Sequence, residues 1–249
     1  MHSKFLFELL KATTTLDIVH PCYNPHEGWE QELIHYYRIF VAKLPTEVAV
    51  TLYVVNDGSS RGISATHLAN LQAAVPSFEY VTYEQNQGKG FALRTAIAQT
   101  QSNLVIYTDA DYPYRMENAW EMFRLLYEEK YDVVLGVRDD HYYSQLPFLR
   151  KVFSLALRTM NHIFFPSMFV KDTQSGLKGF NAKGREVFLQ TKINSFLFDM
   201  EFVVLASKRK DLRLAKILVH VRDGITFSQM NSKTIKRELL SFLNIFQKK

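Results

Sequence analysis

The chain has 249 residues, 47% of them hydrophobic and 22% charged, a balance that predicts a large buried core and excludes global disorder. Its formal charge of +5 suits nucleotides, other polyanions or an anionic membrane surface without selecting among them, and no feature calls for nucleic acid as a partner. The single cysteine, Cys22, excludes an internal disulfide and fits a reducing compartment.

Taken in chain order, residues 1–15 hold a short apolar run, Phe5-Leu6-Phe7, interrupted by Glu8. The run lacks the long apolar region and small-residue cleavage site of a leader and is expected to be a short helix. Short apolar runs then alternate with stretches of helical period: 16–20 with 28–44, 48–55 with 63–75, 78–83 with 90–100, 104–107 with 116–129, and then 131–137. Such alternation predicts right-handed crossovers and a mainly parallel α/β sheet flanked by helices. After Arg138 the rhythm changes to a long amphipathic stretch (146–165), a short run (176–181), two helical segments, a strand (212–221) and a final amphipathic helix (234–246). No repeat or low-complexity linker divides the chain, so residues 1–249 are expected to form one domain with three parts: 14–138, 139–231 and 232–249. No segment supplies the ~18 nearly uncharged apolar residues of a spanning helix, which predicts a soluble or peripheral protein of the cytoplasm.

Chemistry-bearing residues cluster where predicted strands end. Asp109-Ala110-Asp111 follows the run Leu104-Val105-Ile106-Tyr107, so two carboxylates emerge at the carboxyl end of a strand, where an open α/β sheet puts its ligands. Carboxylate oxygens suit Mg²⁺ or Mn²⁺, which keep coordination positions for water and substrate phosphates. Taken alone, two Asp in a turn also read as solvated loop residues. Three further strand ends carry Val19-His20-Pro21-Cys22-Tyr23-Asn24, Val55-Asn56-Asp57-Gly58-Ser59 and Asn86-Gln87-Gly88-Lys89-Gly90. The glycines of the last would let a ligand's anion approach the backbone at a helix start, with Lys89 supporting the same charge. Their spacing is neither that of a Walker loop nor that of a dinucleotide fingerprint.

This series of four motifs, over most of the chain, resembles the family-two glycosyltransferases, an inverting group with a GT-A fold. The resemblance implies that Pro21 and Tyr23 pack beside the base of a UDP- or GDP-sugar, that Asp57 contacts that base, that Asp109 lies near the ribose, and that Asp111, assisted by Asp109, binds Mg²⁺ or Mn²⁺. Two departures stand out: Pro25 where the family often has Glu, and Pro113 where its lipid-phosphate branch often has Gln. In the second half, Gly136-Val137-Arg138, 150–154, 172–178 and Phe198-Asp199-Met200-Glu201 resemble the branch of dolichyl-phosphate mannosyltransferases and polyprenyl-phosphate glycosyltransferases. The branch implies that Arg138, Arg150 and Ser154, with Arg222 as a further candidate, hold an acceptor phosphate, and it suggests a role in cell-envelope glycan synthesis.

The acceptor decides whether a base is required. A polyprenyl phosphate is largely ionised at neutral pH and can attack the sugar directly. A saccharide hydroxyl needs a carboxylate within reach, for which Asp199, then Glu201, are the candidates. The bland reading of both is an ion pair positioning the Lys178 or Arg138 region. A non-catalytic nucleotide-sugar-binding protein remains the alternative from another class, motivated by Pro25 and Pro113. Basic amphipathic stretches at 148–165 and 233–249 could lie on a lipid surface or pack on the domain. His20, His35, His67, His141, His162 and His220 have no zinc-ligand spacing, and Cys22 is expected to pack rather than act as a nucleophile.

Overall fold

The computed structural model describes residues 14–139, 142–143, 146–225, 238 and 241–242. Seven strands form one sheet: β1 Thr14–Cys22, β2 Val48–Asp57, β3 Phe78–Tyr83, β4 Leu104–Tyr107, β5 Val133–Arg138, β6 Lys178–Asn181 and β7 Leu214–Val219, in the order β3-β2-β1-β4-β6-β5-β7. All neighbours run parallel except at β6, which is antiparallel to both β4 and β5. The mainly parallel α/β expectation is met. The reversal at β6 was not legible, because a four-residue apolar run carries no direction.

The helices are α1 Trp29–Val41, α2 Ala65–Ala74, α3 Lys89–Ile97, α4 Met116–Tyr127, α5 Phe148–Phe164, α6 Ala182–Leu189 and α7 Phe198–Lys208. Local chemistry explains several ends. Glu30 and Glu32 in the first turn of α1 and Arg38 in its last complement the helix dipole, and Ser64 and Asn181 cap α2 and α6 through their side chains. Leu104 and Ile106 of β4 join the core beneath α1 and α4, while Val105 and Tyr107 join the opposite core with α3, α6 and α7. Burial on both faces is why β4 reads as an unbroken apolar run rather than an alternating one.

The helix expected at the amino end is corrected in part. Thr14 and Thr15 belong to β1 rather than to a helix, since Thr14 already pairs with Val48, and the rest of the expected helix lies outside the described residues. Most of the expected helix at 234–246 and His141 also lie outside them, although Glu238, Ser241 and Phe242 are helical. The topology fixes where a ligand can sit. The chain runs outward from β1 through β2 to β3 and then returns across β1 to β4, so the carboxyl ends of β1 and β4 flank a switch point.

Candidate active site

The Asp109–Tyr112 turn leaves β4 at that switch point. Tyr112 N–H closes it onto the Asp109 carbonyl at 3.0 Å, with Tyr112 in the left-handed region at φ 42. Buried His20 sits underneath, its Nδ1 3.0 Å from the Thr108 carbonyl and its Nε2 3.0 Å from the Tyr112 hydroxyl. A carbonyl only accepts, so Nδ1 carries the proton and Nε2 accepts from the tyrosine. Burial lowers the His20 pKa to about 4, which keeps the ring neutral. Arg222 completes the support, donating to the carbonyls of Asp111 and Tyr112, each at 2.9 Å, and pairing with Glu32 of α1.

The carboxylates of the turn face a cleft of about 660 Å³. Lys89 Nζ lies 2.5 Å from Asp109 Oδ1. Burial alone would lower the Lys89 pKa, but the charges of Asp109, Asp199 and Asp111 outweigh it and the net shift is upward. Burial, reinforced by the charge of Asp109, raises Asp111 to about 6. Lys89 and Arg222 pull the other way without cancelling that rise. Two oxygen donors, with no group of three His, Cys, Asp or Glu among the described residues, fit a hard divalent cation whose other positions go to water and substrate phosphates. The loop at Gly176 closes over Asp109, and a Cβ there would lie 2.4 Å from Asp109 Oδ2.

At one end of the cleft Pro21, Tyr23, Asn24 and Pro25 form the wall. Asn24 holds the neighbouring loop, its N–H donating to Ser59 Oγ and its side-chain oxygen accepting from the N–H groups of Ser60 and Arg61. Asp57 and Gly88 stand behind the wall, held by contacts within the protein. The Asp57 carboxylate accepts from the Tyr83 hydroxyl, Asn86 Nδ2 and the N–H groups of Gln87 and Gly88, at 2.7 to 3.2 Å. Gly88 and Gly90 admit the chain at 193–194 rather than a ligand: a Cβ on Gly88 would lie 2.5 Å from the Asn194 carbonyl oxygen, and one on Gly90 2.4 Å from that of Ile193. Gly90 N–H donates to Asn194 O at 2.9 Å. Cys22 is buried with its thiol pushed up to about 12, first by burial, which suits packing and not nucleophilic attack.

At the other end Arg138, Arg150, Ser154 and Asp199 reach the cleft beside the apolar groups Phe153, Leu157 and Phe196. Arg138 is not a free cation. Its guanidinium grips Asp172 through Nε and Nη2, at 2.5 to 3.1 Å, and lies 4.6 Å over the Tyr142 ring. Asp199 Oδ1 accepts from the Tyr107 hydroxyl at 2.6 Å and pairs with the fully buried Lys178 at 2.7 Å, the ion pair foreseen as the bland reading. Glu201 Oε2 accepts the N–H groups of Lys192 and Ile193, each at 2.8 Å, behind the wall. Arg222 supports the Asp111 turn and is not among the groups that line the cleft. Sequence reasoning did not find His20 as a support of the turn, Asp172 as the partner of Arg138, or Glu238 on the cleft wall. Asp172 was within reach, since it opens the quoted stretch 172–178, whereas His20 was weighed only as a zinc ligand.

Outside the cleft, α5 exposes Phe148, Leu149, Val152 and Ile163 by 76, 60, 48 and 62% while burying Ser154, Leu157 and Asn161. Among the described residues no helix is long and apolar enough to cross a membrane.

Comparison with known proteins accounts for this arrangement. The profile of Glycosyl transferase family 2 matches residues 17–182, from β1 to the start of α6. The chain belongs to that family. The family match therefore includes the Asp109–Asp111 turn, Arg150 and Ser154, but neither Asp199 nor Glu238. Among curated relatives, dolichyl-phosphate beta-glucosyltransferase ALG5A of Trichomonas vaginalis is 23% identical over 216 residues, 84% of this chain and 66% of the relative. A second relative from that organism, ALG5D, is 27% identical over 179 residues, 68% of this chain and 53% of the relative. The chain thus spans about half to two thirds of the length of these relatives. Among solved structures, glucosyl-3-phosphoglycerate synthase of Mycobacterium tuberculosis in complex with UDP superposes with a TM-score of 0.67 at 18% identity, covering 96% of this chain and 83% of the other. The same enzyme has been solved with Mn²⁺, UDP and its product. That likeness carries the fold, GT-A as the family resemblance implied.

Proposed function

We propose that this chain is a metal-dependent inverting glycosyltransferase that moves a hexose from a UDP- or GDP-sugar to a polyprenyl phosphate. The observation that carries this reading is one cleft lined both by the Asp109–Asp111 carboxylate pair and by Arg150 and Ser154, which stand on a helix whose outer face is apolar and exposed. Relatives named as dolichyl-phosphate beta-glucosyltransferases support the same acceptor class. In this reading residues 14–138 carry the donor and 139–231 the acceptor.

A divalent cation on Asp111, assisted by Asp109, would neutralise the charge that grows on the departing nucleoside diphosphate. Pro21 and Tyr23 flank the base. Lys89 carries positive charge at the same place and keeps Asp109 oriented through their ion pair. His20 and Arg222 hold the turn from behind, so the carboxylates need not reorganise when the donor binds. An acceptor phosphate held by Arg150 and Ser154, with Arg138 adding field but not a free guanidinium, attacks C1 as an oxyanion while the C1–O bond to the diphosphate breaks. No protein base takes a proton in that step. The second reading, a saccharide hydroxyl with Asp199 as base, is less favoured because one oxygen of Asp199 already holds Tyr107 and Lys178. The exposed residues of α5, flanked by Arg150, Lys151 and Arg158, support a peripheral seat on an anionic bilayer.

The test is transfer of labelled sugar from UDP- and GDP-sugars into a lipid phase containing a short polyprenyl phosphate, with Mn²⁺ or Mg²⁺. Asp111→Ala should abolish transfer and leave the thermal melt unchanged; near-normal turnover by that variant would sink the mechanism. Label on a soluble saccharide and none on the lipid would transfer the assignment to the Asp199 reading. Binding of anionic vesicles should fall sharply in Leu149→Ser/Val152→Ser without a change in melting temperature.

A further inference from the structure

Beyond residue 225, one turn of helix brings a carboxylate back to the cleft. Glu238, Ser241 and Phe242 are spaced three and four apart, so they share a face. Phe242 is buried against Phe164 and Phe165 where α5 ends, with ring centroids 6.1 and 6.3 Å apart. Ser241 Oγ lies 3.0 Å from Ser195 Oγ. Glu238 is buried on the cleft wall, and its Oε2 accepts from Ser195 Oγ at 2.8 Å and from the Leu197 N–H at 3.1 Å.

Leu197 occupies the N-cap position of α7, and its side chain provides no cap. A leucine is among the poorest residues there, because it cannot accept from the first free amides of the helix. Glu238, 41 residues away, accepts the N–H of Leu197 itself, the contact that the glutamate of a capping box makes to the N-cap backbone, and its negative charge sits where the helix dipole favours an anion. What this cap holds in place is specific. Two residues past it stands Asp199, and one residue before it Phe196, both on the cleft wall. The stretch leading into it, 193–195, is the surface against which Gly88 and Gly90 press, beside Lys89.

We propose that Glu238 is a positioning residue: acting through Ser195 and Leu197, it caps α7 from the C-terminal segment and sets Asp199 and Phe196 at the acceptor end of the cleft. Calling that end the acceptor end rests on the function proposed above; the capping role does not. Glu238 also lies outside the stretch that the family profile matches.

The experiment compares the full chain with Glu238→Ala and Glu238→Gln. Hydrogen exchange is followed in peptides covering 193–201, with 104–107 of β4 as the internal control. Glu238→Ala should speed exchange in 193–201 by about tenfold, the size expected for a lost cap, and leave β4 unchanged. Glu238→Gln keeps an oxygen toward Ser195 and Leu197 and should fall between the two. In the transfer assay, kcat/KM for the acceptor should drop by about tenfold in Glu238→Ala, while the Kd of UDP or GDP with Mn²⁺ moves by less than about twofold. Unchanged exchange at 193–201, faster exchange everywhere, or equal losses in acceptor and nucleotide parameters would each overturn the proposal. Should the unsubstituted chain transfer sugar to no acceptor, the function proposed above fails, and the exchange measurement still decides whether Glu238 caps α7.

Discussion

Replacing Asp57 separates two accounts of the same residue. If its carboxylate serves chiefly to contact a nucleotide base, Asp57→Ala weakens nucleotide binding and leaves stability untouched. The structure directs that carboxylate inward, onto the Tyr83 hydroxyl, Asn86 Nδ2 and the N–H groups of Gln87 and Gly88. Hydrogen bonds to a charged group contribute roughly 1.5–3 kcal/mol each in favourable cases. Asn86 and Gln87 are exposed and regain water when the carboxylate is removed, so their share is small. Tyr83 and Gly88 are only half-exposed, and a cavity remains at the buried position. Together these give a loss of about 2–4 kcal/mol for Asp57→Ala, and about 1–2 kcal/mol for Asp57→Asn, whose amide nitrogen opposes one of the donors. Urea unfolding measures the loss as a lower midpoint at constant slope. Nucleotide affinity, measured by calorimetry on the folded protein, should fall as a consequence, because the 86–90 loop carries Lys89. An Asp57→Ala chain as stable as the parent within about 0.5 kcal/mol, yet defective in binding, would refute the bracing role.

Three further outcomes are expected. Gly176→Ala puts a Cβ 2.4 Å from Asp109 Oδ2, at the end of a side chain that can swing away, so stability should hold while Mn²⁺-dependent turnover falls about ten- to a hundredfold; unchanged turnover counts against a role for Asp109 orientation. Arg138→Leu strands buried Asp172 and should cost about 3–5 kcal/mol. In the parent, burial would raise the Asp172 pKa but Arg138 outweighs it and holds the carboxyl below its usual value, so that stability is present above about pH 4 and lost as the pH falls through the folded pKa. In Arg138→Leu the unpaired carboxyl shifts above its unfolded value, so its contribution changes sign; the destabilisation relative to the parent should shrink from pH 7 to pH 5, a comparison in which the opposite contribution of buried neutral His20 cancels, and a destabilisation that grows over that range contradicts the pairing. Lys178→Met and Asp199→Leu should each cost about 3–5 kcal/mol, and the double variant much less than their sum; additive losses would mean that the pair at 2.7 Å does not couple them.

Much of the site was legible because its determinants are local. The four-residue run before Asp109 puts that turn at a strand end, and the alternation from 16 to 137 puts all the strand ends on one edge. The amphipathic stretch at 146–165 is the helix α5 expected there, but the period did not show that Phe148, Leu149, Val152 and Ile163 stay exposed while Leu157 is buried. At Gly88 and Gly90 the reading was half right. The glycines do mark a close backbone approach, but the approaching chain is the protein's own segment at 193–194, more than a hundred residues on.

Fold class, strand-end motifs and the chemical types of the groups around the cleft could be read along the chain, since hydrophobic period and residue identity are properties of short stretches. Which charges remain available to a ligand was settled by packing between distant segments. Arg138 is answered by Asp172 at a separation of 34 residues, Asp199 by Tyr107 at 92, and Arg222 by Glu32 at 190. An arginine in a sequence is a cation with no address for its counterion. Whether it meets a phosphate or a buried carboxylate is set by packing, because leaving either partner of a buried pair alone costs more than any local preference can repay.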